Sequence, residues 1–225
     1  MDTKPSWMTE SLDNPYLLIN QATARYEQQR DYSNEGRSGT IDGISQRFVV
    51  QEHTNQLEKL KETKKLFADK DSVLRTGSYV ICKDGTFIVI SDVKDNDAYL
   101  ETLMVVCDLS LKWEDYNHDV ISYPISSKVL SESRHSALDS KYVSVATGGI
   151  KLYIQRNMET ELIYEGQRFL IGRNSYKIEL VEDVFIPNVL LLYLQYVPRN
   201  LDSDNVEDGI ANINNGDNNS PSNPW

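Results

Sequence analysis

The chain has 225 residues, room for one large β domain or two small ones with a proper core. Hydrophobic residues make up 40% and charged residues 25%, an ordinary soluble globular composition. A net charge of −11 repels a phosphate backbone and argues against tight or sequence-reading duplex binding, though not against a lumen through which DNA slides.

Asp2, Lys4 and Glu10 precede the first short apolar patch, so no signal peptide is expected at the start. The longest apolar run, Val189 to Leu194, is far too short to cross a bilayer. A cytosol-like compartment follows, and Cys82 and Cys107, each inside an apolar run, are expected to be buried thiols.

Asn14-Pro15 reads as a helix start, since Asn accepts a free N–H and Pro suits the first helical position. Tyr16, Ile19, Thr23, Tyr26 and Arg30 fall on one stripe and predict a helix over 15–31. SNEGRSGT (33–40) breaks it, and a strand is expected over Ile44 to Gln51. NQLEKLKETKKLF (55–67) suits either a helix or a strand near its end. Short β runs follow: Tyr79 to Cys82, Thr86 to Val93, Tyr99 to Asp108, Val120 to Ile125, Tyr142 to Ala146, Ile150 to Gln155, Gln167 to Ile171, Tyr176 to Val181 and Val189 to Val197. Many short strands without interleaved helices mean a mainly-β fold, a barrel or sandwich.

A weak internal repeat organises these strands. Gly77, Val80, the Asp84-Gly85 turn, Phe87, Val89 and Asp92-Val93 precede an apolar run from Leu103 to Cys107. Gly166, Phe169, the Arg173-Asn174 turn, Tyr176, Ile178 and Asp183-Val184 precede Val189 to Tyr196 in the same order. One or two small barrels built from this hairpin unit are expected, because a lone hairpin cannot bury its apolar face. The organisation read from the sequence is an arm over 1–40, a first β unit over 41–130, a linker over 131–141 and a second β unit over 142–198. The rest, 199–225, has from Asn200 onward five acidic residues and no basic ones and is expected to be a disordered tail, with Gly209 to Ala211 docking on a neighbour.

No residue pattern points to an enzyme. His53, His118 and His135 stand in no metal-ligand spacing, so no metal or cofactor is expected. Ser136 and Asp139 near His135 lack a nucleophile elbow. Gly148-Gly149 lacks the lysine of a phosphate cradle, and Glu114-Asp115 reads as a turn. Aromatics are not interleaved with Lys or Arg as a single-strand platform requires.

RTGSYVICKDGTFIVISDV from Arg75, then CDLSLKWED and ISYP, resembles head-closure (connector) neck proteins of tailed phages of Gram-positive hosts. EGQRFLIGRNSYKIELVED and DSDNVEDGIAN extend the resemblance over residues 40–213. The Asn-rich extension after Ile213 and the acidic charge depart from that family and leave the neck layer open. The resemblance implies β-barrels that ring beneath the portal, close the DNA exit and dock the tail. Its partners would be other copies, portal or adaptor and tail proteins, and passing DNA, with no membrane, in the neck of the virion. Contact residues are then expected around the YNHD loop, at Trp113, Tyr116, His118 and Tyr123, and in the tail at Asp204, Glu207 and Ile210. Trp113 could equally plug the first barrel. Another virion component, such as a tail-completion or minor capsid protein, and a small-barrel peptide or nucleic-acid adaptor remain alternatives.

Overall fold

The computed structural model describes residues 15–53, 63–115, 117–130, 148–201 and 203–211. Two compact units divide the chain: residues 1–107 with 184–189, and residues 108–183 with 190–225.

In the first unit, helix α1 (Pro15–Tyr32) ends where Ser33 folds back, its N–H and hydroxyl both donating to the Gln29 carbonyl at 3.2 and 2.5 Å. The predicted stripe holds in part. Tyr26 is buried and meets the Tyr99 ring at 5.4 Å, and Arg30 pairs with Asp69 at 2.6 Å, whereas Tyr16 is exposed. Six strands close a barrel: β1 (Gly36–Ile41), β2 (Ile44–Glu52), β3 (Thr63–Ala68), β4 (Tyr79–Cys82), β5 (Gly85–Val89) and β7 (Leu100–Val106), with the short β6 (Lys94–Asp95) beside β7. Their order around the barrel is β4-β5-β7-β3-β2-β1, and β1 returns to β4. Alternation aims Phe48, Leu66, Val80, Phe87 and Met104 inward, where each is almost wholly buried.

The second unit has β8 (Leu109–Glu114), β9 (Val120–Leu130), β10 (Gly149–Gln155), a 3-10 turn (Thr160–Leu162), β11 (Arg168–Ile171), β12 (Asn174–Glu182) and β13 (Val189–Val197). Their order is β11-β12-β13-β10-β9-β8, and β11 lies beside β8. Leu111, Trp113, Ile125, Leu152, Ile154, Phe169 and Ile178 form its core, with Leu192 and Leu194 from β13.

The strand order of the second unit is that of the first, strand for strand, so the repeat extends well past one hairpin. Its backbone hydrogen bonds recur as well. Gly77 N–H donates to Val89 O at 2.9 Å, and Val89 N–H to Ser78 O at 3.0 Å. Gly166 N–H donates to Ile178 O at 2.8 Å, and Ile178 N–H to Gln167 O at 2.9 Å. Gly77 (φ 87°) and Gly166 (φ 95°) both hold a left-handed backbone that L side chains rarely adopt.

Several expectations change. The first β unit does not run to residue 130. β9 pairs with β8 on one edge and β10 on the other, so the second unit starts at Asp108, and 131–141 lies between two strands of one sheet. Within 33–40, read as a break, β1 begins at Gly36, because partners on both edges supply a ladder that local composition does not favour. Thr63–Ala68 is strand, so the end of 55–67 takes the strand alternative, while residues 54–62 lie outside the described residues. Glu114 ends β8, leaving Asp115 in the turn. Cys82 and Cys107 are half-buried, not enclosed. The tail is folded through 203–211, whereas 212–225, like the strand expected at 142–146, falls outside the described residues.

Candidate functional site

β8 and β9 bring two of the expected contact residues together, but turn them inward. Trp113 is 7% exposed; its ring stacks on Tyr123 at 5.8 Å and meets Phe169 edge-on at 6.0 Å. It therefore fills the second barrel rather than the first, and is not offered to a partner. Tyr123 is half-buried, and its hydroxyl donates to Glu159 Oε2 at 2.7 Å. Burial, and then the Glu159 carboxylate, push its phenol above the ordinary tyrosine value.

Asp115 shapes the β8–β9 turn by accepting the N–H groups of Asn117 and Asp119 at 2.8 and 2.9 Å. That turn leaves His118 exposed with a left-handed backbone, its Nδ1 against the Glu114 carboxylate. Tyr116 lies outside the described residues.

The tail residues dock on the chain's own second unit. The Asp204 side chain is 1% exposed and ion-paired with Arg168 of β11 at 2.8 Å. The same Arg168 nitrogen reaches Ser175 Oγ at 2.9 Å and the Pro198 carbonyl at 3.3 Å. Asn205 and Ile210 exchange backbone hydrogen bonds at 2.9 and 3.0 Å, closing a loop that leaves Glu207 exposed and Ile210 buried. Lys112 of β8 donates to the Asp208 carbonyl at 3.4 Å. Sequence reasoning missed Arg168 and Lys112; the acidic tail signals a cationic seat, but nothing local says which cations supply it.

Also missed was Lys151, whose ammonium lies 5.2 Å from the Tyr153 ring and 5.0 Å from that of Tyr193. Burial opposes its charge, but bonding to Tyr193 and Tyr153 outweighs that and holds it above the ordinary lysine value.

Among the described residues no group of three or more His, Cys, Asp or Glu side chains could hold a metal. A hollow of about 450 Å³ lies along Glu165, Gly166, Lys177, Glu179 and Gln195, and its charged residues are exposed. A second, of about 320 Å³, lies between α1 and its barrel at Arg25, Tyr26, Gln51 and Tyr99. Neither gathers a nucleophile and a base into hydrogen-bond reach. No described helix is long and apolar enough to cross a membrane.

Two family models match the chain in succession: the YomX N-terminal domain over residues 12–105 and the YomX C-terminal domain over 109–193. The chain belongs to the YomX family. The name is associated with Bacillus phages, and the boundary between its two domains coincides with the change of barrel at Cys107 and Asp108. No curated protein matches this YomX-family chain. Among solved structures, K. pneumonia MrkH shares 8% identity over 82% of this chain and 86% of its own, with a TM-score of 0.25. Another, described as a c-di-GMP-dependent transcription regulatory factor, shares 10% over 82% and 85% at 0.24. The MrkH complex with c-di-GMP shares 12% over 82% and 88% at 0.24. A superposition that loose carries no argument about function.

Proposed function

We propose that this YomX-family chain is a non-enzymatic structural protein of a phage particle, ringing the neck below the portal, closing the DNA exit and docking the tail. The reading rests on one observation above the others: a phage-associated family member built from the same six-strand barrel twice. A closed ring needs two different surfaces that complement each other, and two diverged copies of one barrel supply them within a single chain. Portal or adaptor and tail proteins are the expected neighbours. The net charge of −11 suits a wall past which DNA slides without being held.

Imaging of particles that carry a labelled chain tests this. Label is expected at the head–tail junction, and particles lacking the chain are expected to be filled heads that leak DNA and lack tails. Label elsewhere, or sealed and tailed heads without the chain, rejects the neck role.

A further inference from the structure

The two barrels close differently. In the first, β1 and β4 form a ladder at Gly39↔Cys82, Thr40↔Ile81 and Ile41↔Val80. In the second, the equivalent strands β8 and β11 share no ladder among the described residues, and Trp113 against Phe169 fills the seam from inside. Outside, described residues 200–201 and 203–211 span the seam. Asp204 is anchored to Arg168 on β11, and the Asp208 carbonyl to Lys112 on β8.

This strap has the properties of a peptide ligand. Its loop is closed on itself by the Asn205–Ile210 bridge, with further bonds from the Glu207 and Asp208 N–H groups to Asn205 Oδ1 at 3.0 and 3.2 Å. It presents one buried carboxylate to a cationic seat and buries one apolar side chain, Ile210, at 3% exposure. Pro198 and Arg199, both exposed, tether it to β13. The Asp204–Arg168 and Asp208–Lys112 contacts are available to strap and seat of one chain or of two; the tether's course, and with it the Arg168–Pro198 contact, differs.

We propose that this seat is an assembly site for a second copy of the chain: in the oligomer, each copy lays its strap across the β8–β11 seam of the next. Charge complementarity selects the occupant, because the strap is acidic and the seat holds Arg168 and Lys112. A tether of a few residues, about 3.5 Å each when extended, restricts exchange to a directly adjacent copy. Such a head-to-tail contact closes into a ring when the rotation allows. The proposal rests on the self-assembly named under Proposed function.

Disulfide trapping in the full chain tests it. Copies carrying only Lys112→Cys are mixed with copies carrying only Asp208→Cys, oxidised, and mapped by mass spectrometry. The double variant, K112C with D208C, is treated in parallel across a concentration series with light scattering. Strap exchange predicts a 112–208 link between chains in the mixture and a ladder of multimers in the double variant. Oligomers by light scattering with links only at monomer mass overturn the exchange and leave the ring reading standing. An inter-chain link in a protein absent from purified particles does the reverse. Because the Asp208 side chain itself bonds Asn205, the absence of any 112–208 link is decided by a charge swap: if Asp204→Arg copies fail to assemble with Arg168→Asp copies, the seat itself is overturned.

Discussion

At Trp113 the same side chain that sequence reading offers as a contact anchor is enclosed by Tyr123 and Phe169. Trp113→Ala is expected to cost about 3–5 kcal/mol, the usual loss for a large buried aromatic. Thermal unfolding measures it; a variant that keeps its stability yet fails to assemble would return Trp113 to the surface role. Gly77 and Gly166 offer a sharper comparison, because the repeat makes them equivalents. A Cβ on Gly77 would lie 2.3 Å from the Asn188 carbonyl oxygen, whereas one on Gly166 meets only the end of the Lys177 side chain at 3.7 Å. Both alanine variants strain a positive φ, at about 1 kcal/mol or more. Gly77→Ala is expected to lose clearly more stability in urea than Gly166→Ala, since a backbone carbonyl cannot swing aside; equal losses would mean the clash relaxes freely.

Among the elements, β1 is one that composition hides. Its Arg37 side chain is 15% exposed and contacts Asp84 in the β4–β5 turn, so one ion pair adds to the ladder that closes the first barrel. The hydrogen bond from Arg37, more than the opposing effect of burial, holds the Asp84 carboxyl below the ordinary aspartate value. A folded-state value lowered in this way stabilises above the unfolded value of about 3.9 and loses that contribution as pH falls through the folded one. Arg37→Gln is therefore expected to be less stable than the parent by the same margin at every pH above about 5, and by a smaller margin near pH 3. Urea denaturation at both values checks this, and a margin that does not shrink in acid would show that the pair contributes nothing. α1 is secured by the other kind of contact, with Tyr26 buried against Tyr99 and Arg30 paired to Asp69.

For the whole molecule, the duplicated barrel is what makes the assembly predictions specific. Each barrel has its own apolar core, so damage to the second is expected to leave the first folded. Hydrogen exchange on the Trp113→Ala variant would show it, with protection lost across β8–β13 and retained at β4, β5 and β7. Joint loss would make the two barrels a single cooperative unit.

Much of this was legible in the residues. Turn chemistry at Asp84-Gly85 and Arg173-Asn174, alternating apolar runs and a glycine before each hairpin located most of the later strands and the repeat, because these signals act within a few residues of one another. The change of barrel at Asp108 was not legible. β8 alternates Leu109, Leu111 and Trp113 with polar residues as a strand does, but only its pairing with β9 shows that a new barrel begins there. The contact residues divide on the same ground. From the sequence, Trp113, Asp204 and Ile210 are expected as contact residues. Which way Trp113, Asp204 and the 205–210 loop face depends on Phe169, Arg168 and Lys112, each more than thirty residues from its partner Trp113, Asp204 or Asp208, and only folding brings these pairs into contact.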